Sequence, residues 1–144
     1  MTFWGKLKSG SADLLLSLPN DENTDIHHIF PKAYCKSKNI DKKKWNSIVN
    51  KTPLFARTNR ILGGNAPSKY LKKIEIDNHV TKVDLDNFVS THLINVNYMR
   101  NDNFDEYFIE RAKSILNLIS TAMGKSISNL DSDEVINEFG KSLK

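Results

Sequence analysis

The chain has 144 residues, 39% apolar and 26% charged, which suits one globular core rather than two. Cys35 is its one cysteine, so an internal disulfide and a multi-cysteine zinc site are excluded and a reducing cytoplasm fits. The formal charge of +4 is uneven: residues 32–73 carry twelve Lys or Arg against Asp41 alone, +11 against −7 for the remainder, which suits a polyanionic partner.

In chain order, residues 12–18 read as a short helix closed by Pro19, and residues 20–23 as a turn. Asp25 to Pro31 is short, β-branched or aromatic in part and ends in proline, the pattern of a strand. Asp41 to Val49 is expected to be helical, with Trp45, Ile48 and Val49 at helical spacing. Thr52 to Ala56 reads as a second strand. Thr58 is the expected cap of a helical turn running to Leu62, stopped by Gly63 and Gly64. A helix should open at Pro67 and carry Tyr70 and Leu71, with a loop or strand over 74–82. Asp84 is expected to cap a helix with Leu85, Phe88, Val89, Leu93 and Val96 on its apolar face. The longest helix should run from Asp105 to Met123 and end at Gly124, and a last one should follow Ser132, ahead of Val135, Ile136 and Phe139. No apolar stretch nears the roughly 20 residues that span a bilayer, and the start lacks a signal peptide's apolar core, so no membrane role is expected.

The informative residues are His27 and His28 on a strand end, Asn50 after a loop and Asn59 opening a helix. Imidazole nitrogen and amide oxygen both ligate divalent ions, and imidazole also takes a proton near neutral pH. One site can therefore hold a Lewis acid and a base. Adjacent strand residues point to opposite faces, so the two histidines can serve one phosphate only if the chain bends at the strand end, as Pro31 suggests.

In this order the residues resemble the HNH (His-Asn-His), or ββα-metal, nucleases, whose His-His or Asp-His pair precedes a hydrophobic-x-Pro stretch. His27-His28-Ile-Phe-Pro31 matches that stretch. The resemblance implies that His27 binds the metal, that His28 is the general base, that Asn50 pins the base-bearing loop through backbone hydrogen bonds, and that Asn59 is the helix ligand. The spacing from Asn50 to Asn59, and the following Asn65-Ala-Pro67-Ser68, also resemble the HNH domains of CRISPR effector nucleases. A closer similarity is to the C-terminal domain of GmrSD-type modification-dependent restriction enzymes and of phosphorothioate-sensing Ssp defence nucleases. It rests on Asp25-Ile-His-His-Ile-Phe-Pro31, Asn46-Ser-Ile-Val-Asn50, Thr58-Asn59-Arg60, Pro67-Ser68-Lys69-Tyr70 and Phe108-Ile-Glu-Arg111, and spans about residues 24–120.

The fold so implied is α+β and mostly helical: a single nuclease domain over 1–144, with a ββα-metal core at about 24–74 and a helical part at about 84–144. The function implied is metal-dependent hydrolysis of DNA phosphodiesters, by nicking or double-strand cleavage, in an antiviral defence or restriction-modification system. The alternative is a non-catalytic DNA-binding or partner-docking module on the same frame. The cofactor is a divalent metal, magnesium or manganese, with nickel or zinc as alternatives. Asn59 stands where many HNH enzymes carry His, and His27 where others carry Asp, which lowers the negative charge of the site and leaves its metal preference open.

Asp25 is expected to orient an imidazole through its other nitrogen. Arg57, Arg60 and Lys69 are expected to contact DNA phosphates, giving salt-sensitive affinity. The partners are DNA and an N-terminal sensor or nucleotide-hydrolysing domain, or partner subunit, that this chain lacks, so the chain is expected to be a fragment or one of a pair. Lys42 to Lys44 read as a solvated face as readily as a DNA contact. His92 reads as a core or interface histidine, Cys35 as inert, and Trp4, Trp45 and Phe108 as core or interface aromatics.

Overall fold

The first of two short paired strands carries both histidines. In the computed structural model, which describes residues 24–55 and 60–144, β1 (Thr24–His28) pairs antiparallel with β2 (Lys51–Phe55), His27 facing Thr52 and His28 facing Lys51. Ile29 N donates to Asn50 O at 2.8 Å. Hydrogen-bonded pairs alternate along an antiparallel ladder, so Ile26↔Pro53 falls at a non-bonded pair and the proline removes no ladder donor. β1 is shorter than expected, because the chain bends at Ile29 and Phe30. Pro31 does not simply close the strand; it caps α1 (Lys32–Ser37), a helix the sequence reading did not anticipate.

The helix expected from Asp41 to Val49 is two pieces. Asp41 caps α2 (Lys42–Trp45), accepting from Lys43 N at 2.9 Å, and Ser47 caps a 3₁₀ turn, Ile48–Asn50, accepting from Val49 N at 3.1 Å. Ser47 breaks the helix by bonding its own backbone, a competition short polar side chains favour, and leaves Ile48 78% exposed rather than on an apolar face. The 12–18 helix, the Thr58 cap, Trp4 and the expected strand end at Ala56 lie outside the described residues; residues 60–62 are helical.

Pro67 opens α3 (Pro67–Asp77), and the cap comes from far away: the Asp102 carboxylate accepts from Ser68 N (2.9 Å) and Ser68 Oγ (2.6 Å). This helix continues through residues 74–77, where a loop or strand was expected, because Ile74 joins Tyr70 and Leu71 on its buried face. It stops at His79, which takes the left-handed conformation (φ 51°) while Val80 N reaches back to Glu75 O.

Thr81, not Asp84, caps α4 (Lys82–Ser90); Asp84 lies in its first turn and accepts from the Thr81 hydroxyl. The face expected to continue through Leu93 and Val96 is cut by a turn, with Leu93 at φ 60°, and Val96 instead begins α5 (Val96–Arg100). Asn103 caps α6 (Phe104–Met123) and Gly124 ends it at φ 64°, close to the expected limits. Ser132 caps α7 (Asp133–Phe139), again as expected.

Among the described residues the architecture is α+β and mostly helical, with one small antiparallel sheet. One cluster of buried residues draws on positions from Ile29 to Leu143, and Phe30 sits within it, its ring 4.6 Å from Tyr107 and 5.2 Å from Phe104. Among the described residues no helix is long and apolar enough to cross a membrane.

Candidate functional site

The chain that leaves β1 is held from both sides, and Asn50 holds it. Its carboxamide is fully buried. Nδ2 donates to Phe30 O (3.0 Å) and Trp45 O (2.9 Å), and Oδ1 accepts from Phe30 N (2.9 Å) and the Tyr107 hydroxyl (3.2 Å). Both donors and both acceptor directions of the amide are thereby used. Asn50 thus binds backbone on the segment after His28 and on the end of α2, and does not touch His28 itself.

Two tyrosines and an arginine from distant helices complete the frame. Tyr70 Oη donates to Ile29 O at 2.7 Å, and the single Tyr107 Oη proton is shared between Asn50 Oδ1 and Val49 O, the latter 3.3 Å away. Arg111, 7% exposed, donates Nη1 to Val49 O and to Lys51 O (3.1 Å) and Nε to His92 O (3.3 Å). Burial lowers the Arg111 guanidinium from its ordinary value, opposed by Tyr107. Burial raises both tyrosines, so their hydroxyls stay protonated as donors.

His28 and His27 take different faces of β1. The half-buried His28 ring lies edge-on to Trp45, centroids 5.5 Å apart at 62°, and its Nε2 is 3.1 Å from Asn46 Oδ1. His27 shares the face of Thr52, whose hydroxyl is 3.3 Å from His92 Nδ1. The His27 Nε2 is buried and has no hydrogen-bond partner among the described residues. Burial lowers the His27 pKa, an effect that the charge of Asp25 opposes and His28 reinforces.

A neutral imidazole with a buried, unpartnered nitrogen fits a divalent cation ligand, since leaving such a nitrogen unbonded costs free energy. Among the described residues no group of three or more His, Cys, Asp or Glu could hold a metal ion. Asn59, the expected second ligand, lies outside the described residues, as does Arg57.

Of the other expected residues, Asp25 is exposed and acts on His27 through its charge; the ring nitrogen of His28 is taken by Asn46, not by Asp25. Arg60 and Lys69 are exposed, and no hydrogen bond or ion pair joins either to the histidine pair. The sequence reading missed the roles of Trp45, Asn46, Tyr70, Tyr107 and Arg111. Asn46 was visible as the first residue of the Asn46-to-Asn50 motif. The tyrosines and Arg111 reach the site across 41 to 62 residues, a pairing that no local pattern reveals.

No protein-family model matches the chain, and no solved structure matches it. A 48-residue stretch, 33% of this chain, is 42% identical to an uncharacterized protein of Methanocaldococcus jannaschii, and spans 8% of that protein's length.

Proposed function

We propose that this chain is a metal-dependent HNH-type DNA endonuclease module. The single observation that carries the reading is Asn50, a buried carboxamide that spends three of its four hydrogen bonds on the backbone of Phe30 and Trp45, the residues that bracket a half-buried histidine, and the fourth on the Tyr107 hydroxyl. A polar side chain sealed in the core for this purpose costs free energy unless fully bonded, and here its bonds fix the loop that follows His28. The sequence order His27-His28, Asn50, Asn59 and the antiparallel strand pair followed by a helical turn agree with a ββα arrangement.

In this reading His28 accepts a proton from water, which attacks phosphorus in line, and the products carry 5′-phosphate and 3′-hydroxyl ends. General-base assistance is worth about 10²- to 10⁴-fold in rate. A divalent cation on His27 and Asn59, magnesium or manganese by preference, would supply Lewis-acid stabilisation of the charge at the scissile phosphate. His27 is suited to that role by its neutral ring, while Arg60, Lys69 and the rest of the basic segment 32–73 supply phosphate contacts. The matched stretch is 8% of the relative's length, so in that protein it sits within a far longer chain; a sensor or nucleotide-hydrolysing partner and a restriction or antiviral setting belong to the proposal through the sequence resemblance alone.

Incubation with supercoiled plasmid and Mg²⁺ or Mn²⁺ tests the proposal. Nicked or linear product, lost by at least about 100-fold in His28→Ala, is the expected outcome. A His28→Ala protein that cuts at the parent rate overturns it, and salt-dependent binding without any metal-dependent cutting by the parent leaves a DNA-binding module.

A further inference from the structure

A neutral imidazole has one protonated and one basic nitrogen, so whatever binds the first decides which is the second. We infer that Asn46 is a positioning residue that holds His28 in its Nε2–H tautomer and leaves Nδ1 as the proton-accepting nitrogen. Its consequence for catalysis rests on the nuclease reading above; the tautomer itself is a property of the folded chain.

Two consecutive residues hold the ring. Trp45, 4% exposed, limits the ring plane by its edge-on contact, and the Asn46 carboxamide oxygen lies 3.1 Å from Nε2. Both are fixed in turn: Asn46 N donates to Lys42 O at 3.0 Å as the end of α2, and Trp45 O accepts from Asn50 at 2.9 Å. Asn50 therefore positions the loop backbone and, through Trp45, the residue that orients the ring. Nδ1 then takes a proton from water, the hydroxide oxygen bonds to phosphorus, the bond from phosphorus to the 3′ oxygen breaks, and that oxygen leaves and is protonated from solvent.

An Asn46 amide turned the other way would donate to Nε2, protonate Nδ1 and remove the base. Aspartate separates the two arrangements, because a carboxylate only accepts. Asn46 is exposed, so its replacement opens no cavity and leaves no buried group unbonded.

The experiment is long-range ¹H–¹⁵N correlation of the imidazoles in the whole chain, at a pH where they are neutral, with His28 assigned by its loss in His28→Gln. It is paired with cleavage rates across a range of plasmid concentrations. The parent and Asn46→Asp should show His28 as the Nε2–H form, and Asn46→Ala a mixture. Asn46→Ala should lose about tenfold in kcat with KM unchanged, and Asn46→Asp should restore most of it. A parent in the Nδ1–H form, an unaltered spectrum in Asn46→Ala, or an Asn46→Asp protein as slow as Asn46→Ala overturns the inference. A parent that cuts no DNA overturns the nuclease reading instead, and the spectrum still decides whether Asn46 sets the tautomer.

Discussion

Between Thr24 and Phe55 no element exceeds six residues, whereas Phe104–Met123 alone runs twenty. The first region is held by bonds from far away: Tyr70, Tyr107 and Arg111 reach its carbonyls from α3 and α6. The second region is held by its own ends. Asn103 and Ser132 cap α6 and α7, and glycines at positive φ close both. Beyond its first turns α6 even exposes apolar side chains, with Leu118 at 58% and Met123 at 60%. A two-stranded sheet has little stability of its own, so the candidate site leans on donors from the helical half as well as on Asn50.

The sharpest way to break the first region is from within, by Asn50→Ala. It leaves Phe30 N, Phe30 O and Trp45 O buried without this partner and should cost ~4 kcal/mol of unfolding free energy in urea, given about 1 to 3 for each stranded group. Arg111→Met comes next, at about 3 kcal/mol, because it frees the carbonyls of Lys51 and His92 and one donor to Val49. A near-silent Arg111→Met melt would mean that the strand pair stands without the helical half, and a near-silent Asn50→Ala melt that the loop after His28 needs no carboxamide.

Acid should act through His92, between the two regions. Burial, with Arg111 nearby, pushes its pKa from 6.5 down to about 3. Below about pH 6.5 the unfolded chain binds a proton that the folded one refuses, so stability is full above that pH and falls by ~1.4 kcal/mol per unit as pH drops. Over the two units to pH 4.5 that is about 2.7 kcal/mol, which the partial exposure of the ring screens to about 2, and His92→Gln should flatten the curve over that range. Ser132→Ala sits at the small end: losing the α7 cap should cost about 1 kcal/mol or less and leave the His28 ring signals unchanged. Altered His28 signals in that variant would show that the helical end and the site are not separable.

The difference between the regions also explains what could be read from sequence. The limits of α6 and α7 were legible because Gly124 and Ser132 act locally. α1 was missed because Pro31 is as good an opening for a helix as an ending for a strand. The strand pair, the histidines and Asn50 were legible from order and spacing. Asn46, four residues before Asn50, was on the page without a role, because its role depends on where the His28 ring lies. The dependence of the whole site on Tyr70, Tyr107 and Arg111 was not legible, since a buried hydrogen bond across some 60 residues leaves no periodic mark.

The most direct test is a metal titration of cleavage rate in the parent, His27→Ala and His28→Ala. The proposed assignment of His27 to the cation and His28 to the proton requires two different failures. His27→Ala should require at least about tenfold more Mn²⁺ for half-maximal rate, and His28→Ala should be slow at every concentration with the midpoint unmoved. Identical curves for all three proteins would contradict the division of labour on which this account rests.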